Sequence, residues 1–199
     1  GMPAALDADK IILPKILRGL AYEILFDIAE KNYLSDASLL RTLTKFLALN
    51  VGGAINVSEY MRSIGESNLN KVRNYLGVVF ESGLFKKIPR FDIKANNFLI
   101  GYEKIYCLDN GILTALAQVS DATILMENAV YMELLRRGFT LSVGKFGVMT
   151  INFVAERGDE KIFIQVLPPD GSITARRITR PLRALPEDAE KLLISLKPV

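Results

Sequence analysis

Residues 139–167 read FTLSVGKFGVMTINFVAERGDEKIFIQVL, three extended apolar runs broken twice, by GKFG and by ERGDE. β-Branched and aromatic residues fill the runs, while glycine and charged residues gather between them, which predicts a meander of three strands. Pro168 and Pro169 close the last strand.

The flanks of this meander define its setting. Ahead of it, NGILTALAQVSDATILMENAVYMELLRRG is largely helical, with Leu125, Ala129 and Met132 on one flank and Gly138 as a stop. Behind it, a helix is expected near RPLRAL and a final strand or helix at KLLISLKPV. Helix, three strands, helix and strand is the order of a small α/β core. The alternation in SITARRIT predicts that Arg176, Arg177, Arg180 and Arg183 project from an edge strand, guarding it against self-pairing.

The first half has a helical period instead. In IILPKILRGLAYEILFDIAEK, Ile16, Leu20, Ile24 and Ile28 form a stripe, and Pro14 is tolerated in a first turn. SDASLLRTLTKFLALN starts at Ser35 or Asp36 and ends near Asn50. NVSEYMRSIG starts at Asn56 or Ser58 and stops at Gly65, and SNLNKVRNYLGVVFESG then turns Leu69, Val72, Leu76, Val79 and Phe80 to one side. Two helices meeting at a tight turn are a candidate helix-turn-helix. The hairpin expected next, LFKKIPRFDI and FLIGYEKIYCLD around the turn KANN, has the placement of a wing.

Composition limits the chemistry. With 199 residues, half of them hydrophobic, the chain can build one substantial core or two small ones. The absence of histidine removes Ser-His-Asp and Cys-His nucleophiles, histidine metal sites and HExxH hydrolysis. Cys107 lies in KIYCLD as a small buried thiol, and no P-loop sequence accompanies GKF at 144–146. No run reaches the roughly 20 apolar residues of a membrane span, and GMPAALDADK lacks the regions of a signal peptide, so a cytoplasmic protein is expected. Residues 1–98 carry 13 basic and 10 acidic side chains and residues 99–199 carry 12 of each, so any weak overall attraction to polyanions belongs to the first part.

Several stretches taken together, LTKFLALNVGGAINVSEYMRSIG, VRNYLGVVFESGLFKKIPRFDIK, EKIYCLDNGI, LMENAVYMELLRRGF, INFVAERGDEKIFIQV and ITRPLRALPEDAEKLLISL, resemble the C-terminal half of a bacterial and archaeal family of AAA-type P-loop ATPases. In that family an ATPase core precedes a winged helix and then a domain of unknown function with a restriction-endonuclease-like core. The resemblance implies an α+β chain with a helical linker and winged helix at 11–106 and a small α/β nuclease-like domain at 107–199. It also implies a fragment, or a relative, without the ATPase half.

The same resemblance places Glu127 at the family's helix carboxylate, Asn152 where the next strand usually has an acid, and Gln165 and Leu167 where an acid and a lysine would complete a nuclease motif. Magnesium-dependent phosphodiester cleavage needs anionic oxygen ligands and a group that activates water. Two neutral amides and an aliphatic side chain supply neither, so the core is expected to be inert, with no metal and no cofactor. Asn152 and Gln165 are expected to hydrogen-bond across adjacent strands, and an amide beside Glu127 would satisfy that acid. Glu156, Asp159 and Glu160 read as a solvated turn cluster rather than a displaced metal site.

For nucleic acid, the candidates are Asn70, Lys71, Arg73 and Asn74 on the second helix of the pair and Lys86, Lys87 and Arg90 on the hairpin. The expected function is a non-catalytic regulatory or interaction module that partners an ATPase domain or another protein. The alternatives are a winged-helix protein that binds duplex DNA directly and, last, an active nuclease.

Overall fold

The computed structural model describes residues 11–118, 121–169 and 175–196. The fold is mixed α+β, with its helices and a six-stranded sheet distributed over two units. One comprises Gly1–Lys86 and Ile105–Val119, the other Lys87–Lys104 and Ser120–Val199. No described helix is long and apolar enough to cross a membrane.

The first unit is built from α1 (Leu13–Lys31), α2 (Ala37–Leu49), α3 (Val57–Ser63), α4 (Leu69–Glu81) and α5 (Asn110–Ala117). Short polar residues fix four of the helix starts. Asp36, Asn56, Asn68 and Asp109 each accept a bond from a first-turn backbone N–H that the helix itself leaves unpaired. The candidate helix pair turns at Gly65, whose φ of 70° is open to glycine at little cost.

On α1 the buried line is Ala21, Leu25 and Ala29, not the expected isoleucine stripe one position earlier, which is only half-buried. Alanines at the centre let neighbouring helices approach. A β-carbon on Gly111 of α5 would sit 3.1 Å from Leu17 Cδ1, so the Leu17 side chain of α1 packs directly onto the α5 backbone there. α4 buries Val72, Leu76 and Val79 as its spacing predicts, with Tyr75 beside them. The Tyr75 hydroxyl accepts from Asp36 N at 2.8 Å, tying α4 to the start of α2.

The strands are β1 (Phe85–Asp92), β2 (Asn97–Cys107), β3 (Thr140–Phe146), β4 (Met149–Arg157), β5 (Glu160–Val166) and β6 (Glu190–Ile194), in the order β2-β1-β3-β4-β5-β6. The meander β3-β4-β5 is antiparallel, as its sequence predicts, and parallel strands flank it. β1 pairs with β3 through Arg90–Val143, and β6 pairs with β5 through Ile164–Leu192.

In the second unit, α6 (Ala122–Arg136) packs on β3, β4 and β5, and α7 (Ala175–Arg183) packs on β4 and β5. The α6 face that is buried carries Asn128, Tyr131 and Leu134 rather than Leu125, Ala129 and Met132. Two residues with polar groups hold its centre, which hides the helix's true apolar stripe from a hydrophobic pattern. Behind α7 lies a core of Ile151, Val154, Phe163, Leu182 and Leu185.

Two further expectations are resolved. The last apolar segment is a strand, β6. Residues 175–183 are not an edge strand but a helix, because Ile178, Leu182 and Leu185 recur at spacings of four and three and bury themselves together. The beginning of the SITARRIT run, at 172–174, lies outside the described residues.

Candidate functional site

The meander carries two of the four positions that the resemblance assigns to a nuclease centre, Asn152 on β4 and Gln165 on β5. Regular pairing of β4 with β5 runs from Arg157–Glu160 to Phe153–Ile164. At the next pair, side chains replace the ladder. Gln165 Oε1 accepts from Asn152 N at 3.1 Å, and Asn152 Oδ1 accepts from Val166 N at 3.1 Å. Both amide oxygens therefore serve backbone N–H groups in a part-buried place where an unmet donor would be costly. This is the cross-strand bonding expected from the sequence. Leu167, just past β5, has a side chain of hydrocarbon alone, and its N–H donates to Ile194 O at 2.8 Å.

Glu127, on α6, is only 14 % exposed, and its Oε1 lies 3.1 Å from Lys104 Nζ on β2. Lys104 is the residue of this site that sequence reasoning missed, since 23 positions separate it from its partner and no local spacing links them. In the β4–β5 turn, Glu156 meets Lys161 at 2.9 Å and Glu160 meets Arg157 at 2.8 Å, while Asp159 is exposed. Among the described residues, no three His, Cys, Asp or Glu side chains are grouped to hold a metal ion.

The nucleic-acid candidates divide between the units. Asn70, Arg73 and Asn74 are exposed on α4, at spacings of three and four that put them on one face. Lys71 is drawn off that surface. Its ammonium lies 2.8 Å from Asp36 Oδ2 and 3.5 Å from Glu66 Oε2. The bond from Lys71, aided by Leu39 N, holds Asp36 below the ordinary carboxylate range. The bond from Asn68 N and the charge of Lys71 do the same for Glu66.

On the hairpin, Lys86 is exposed, whereas Lys87 lies 3.3 Å from Glu103. Arg90 donates from Nη2 to Thr150 Oγ1 at 3.2 Å and keeps a buried Nε with no bonding partner, so it serves the sheet interior more than the surface. Arg73 and Lys86 are the exposed candidate cations that meet no carboxylate among the described residues.

Two uncharacterized proteins resemble the chain. One, from Haemophilus influenzae, is 31% identical over 173 residues, which is 83% of this chain and 43% of that protein. The other, from Methanocaldococcus jannaschii, is 26% identical over 164 residues, covering 79% of this chain and 36% of that protein. The chain thus spans less than half the length of either relative. No solved structure matches it significantly. Residues 1–123 match the family model described as Domain of unknown function (DUF8612). Since that match takes in more than half of the sequence, the chain belongs to the DUF8612 family.

Proposed function

We propose that the chain is a non-catalytic regulatory and interaction module of an AAA-type ATPase, formed by a winged helix and a nuclease-like α/β unit whose catalytic positions have become structural. The observation that carries this reading is the Asn152–Gln165 bridge, in which the oxygens at two positions that the resemblance gives to metal ligands are taken by backbone N–H groups. A divalent cation there would have to displace both bonds and would gain only neutral ligands in return.

The ion pair of Glu127 with Lys104 supports the same reading, because an ammonium already neutralises the remaining acid. The order α2, α3, α4 and hairpin, with Gly52 and Gly53 bonded to Ile105 at the base of β2, supports the winged helix. The short span of the chain against its relatives suits a module within a longer protein.

The test compares the full-length Haemophilus influenzae relative with the same protein lacking its 173 matched residues. The reading expects ATP hydrolysis whose rate changes several-fold on deletion, with no magnesium-dependent strand cleavage by either form. Absence of ATP hydrolysis in both, or cleavage that Glu127→Ala abolishes in the present chain, would overturn it.

A second reading, direct binding of duplex DNA through the winged helix, is favoured by the exposed Asn70, Arg73 and Asn74 face. It expects Arg73→Ala to weaken DNA binding at low salt.

A further inference from the structure

We infer that α7 is a contact surface for the phosphate backbone of duplex DNA, separate from the winged helix and independent of any ATPase association. Arg176, Arg177, Arg180 and Arg183 are all exposed on this helix, and its own sequence, ARRITRPLR, contains no acid. Positions 176, 180 and 183 follow one another along one face, and 177 stands beside them, so four guanidinium groups share about 11 Å of helix. Ile178, Leu182 and Leu185 anchor the opposite face on the sheet, which makes the arginine face a fixed feature rather than a loose tail.

What sets these arginines apart is that four of them stand together on one helix without a counter-charge. Arg90 on β1, Lys94 in the hairpin turn and Lys191 on β6 also meet no carboxylate among the described residues, but most other cations of the unit are ion-paired. Lys104 meets Glu127, Lys145 meets Asp92, Arg136 and Arg137 share Glu133, Arg157 meets Glu160 and Lys161 meets Glu156. None of the four α7 side chains meets a carboxylate among the described residues. Of the acids in residues 99–199, Glu103, Glu127, Glu133, Glu156 and Glu160 pair with other cations, and Glu187, Asp188 and Glu190, just past α7, form no ion pair with the four arginines among the described residues. Arginines held this close repel one another, and an external polyanion relieves that repulsion.

The surface fits phosphates better than a protein partner. Protein interfaces draw their energy from a buried aromatic or aliphatic centre, and no large hydrophobic side chain is exposed on α7. Arginine alone, without lysine, presents the planar fork that matches phosphate oxygens. Guanidinium groups bonded to phosphate oxygens carry no sequence information, so a backbone contact of this kind is indifferent to sequence.

The experiment uses the full chain and a fluorescent mixed-sequence duplex of about 20 base pairs, with binding followed from about 50 to about 200 mM salt. Four phosphate contacts weaken wild-type binding on the order of 100-fold over that range, whereas the Arg176→Ala, Arg180→Ala, Arg183→Ala variant, with one contact left, loses only about 4-fold. The matching triple lysine variant keeps the charge and is expected to retain most of the wild-type salt dependence. Single Arg180→Ala lowers the salt exponent by about one and serves should the triple variant not fold. No binding at low salt, an unchanged exponent in both alanine variants, tighter binding to poly-glutamate than to DNA, or loss of binding on Arg73→Ala alone would each overturn the inference.

Discussion

Asn152 and Gln165 stand in for one rung of the β4–β5 ladder, each contributing an amide oxygen to a bond that backbone carbonyls make elsewhere in the pair. Removing either acceptor orphans a part-buried N–H. Asn152→Ala and Gln165→Ala are therefore each expected to destabilise the protein by about 1–3 kcal/mol, measured by urea denaturation. Asn152→Asp keeps an oxygen facing Val166 N and is expected to cost less than the alanine variant. Equal losses for both would show that the acceptor is not what matters.

Gly144 sits where β3 shifts register against β4. A β-carbon there would lie 3.0 Å from both Ile151 Cβ and Val154 Cγ2 and 3.1 Å from Ile93 Cδ1. All three neighbours belong to or border the core behind α7, which has little room to yield. Gly144→Ala is expected to destabilise by about 1–3 kcal/mol through overpacking, seen as a lower thermal midpoint. A midpoint equal to the wild type would mean that the strand shifts freely.

The Asp36–Lys71 bond makes the helical unit sensitive to acid. Asp36 titrates below its ordinary value of 3.8 when folded, mainly because Lys71 bonds its charged form. A depressed carboxylate stabilises the fold above its unfolded pKa, and that stability is lost as the pH falls through the folded value. Urea midpoints are therefore expected to be level above about pH 5 and to decline below about pH 4. Asp36→Asn, with no proton to take up, should start lower and decline less over that window, and parallel wild-type and variant curves would contradict the assignment.

Cys107 is fully buried, and burial pushes its thiol up to about 12. The thiolate is the reacting form, so at neutral pH an aromatic disulfide reagent is expected to label native protein over hours or longer and unfolded protein within minutes. Rapid stoichiometric labelling of the native chain would show that the site opens readily.

Legibility in the sequence follows the range of the interaction. The caps Asp36 and Asn56, the stop at Gly138 and the three-stranded meander rest on residues within a few positions of one another, and each is where local chemistry puts it. Residues 175–183 are ambiguous as sequence because Pro181, which lacks the N–H that would reach Arg177, argues against a helix even as Ile178, Leu182 and Leu185 argue for one. Packing against β4 and β5 decides the matter. The amide bridge can be anticipated from two polar residues in apposed strands. The partners of Glu127 and Lys71 cannot, since Lys104 and Asp36 lie 23 and 35 positions away and are brought close only by folding.

The hairpin β1–β2 begins and ends in residues of the helical unit, while its middle, 87–104, belongs to the sheet unit. Neither unit is therefore a continuous stretch of chain. During synthesis from the N-terminus, the helical core lacks Ile105, Ile112 and Leu113 until the ribosome has already delivered the entire hairpin. At that moment β3, the strand that will flank β1, has not been made. The nascent chain thus carries an uncovered strand edge for the time it takes to translate some forty residues, from about position 105 to the end of β3 at Phe146.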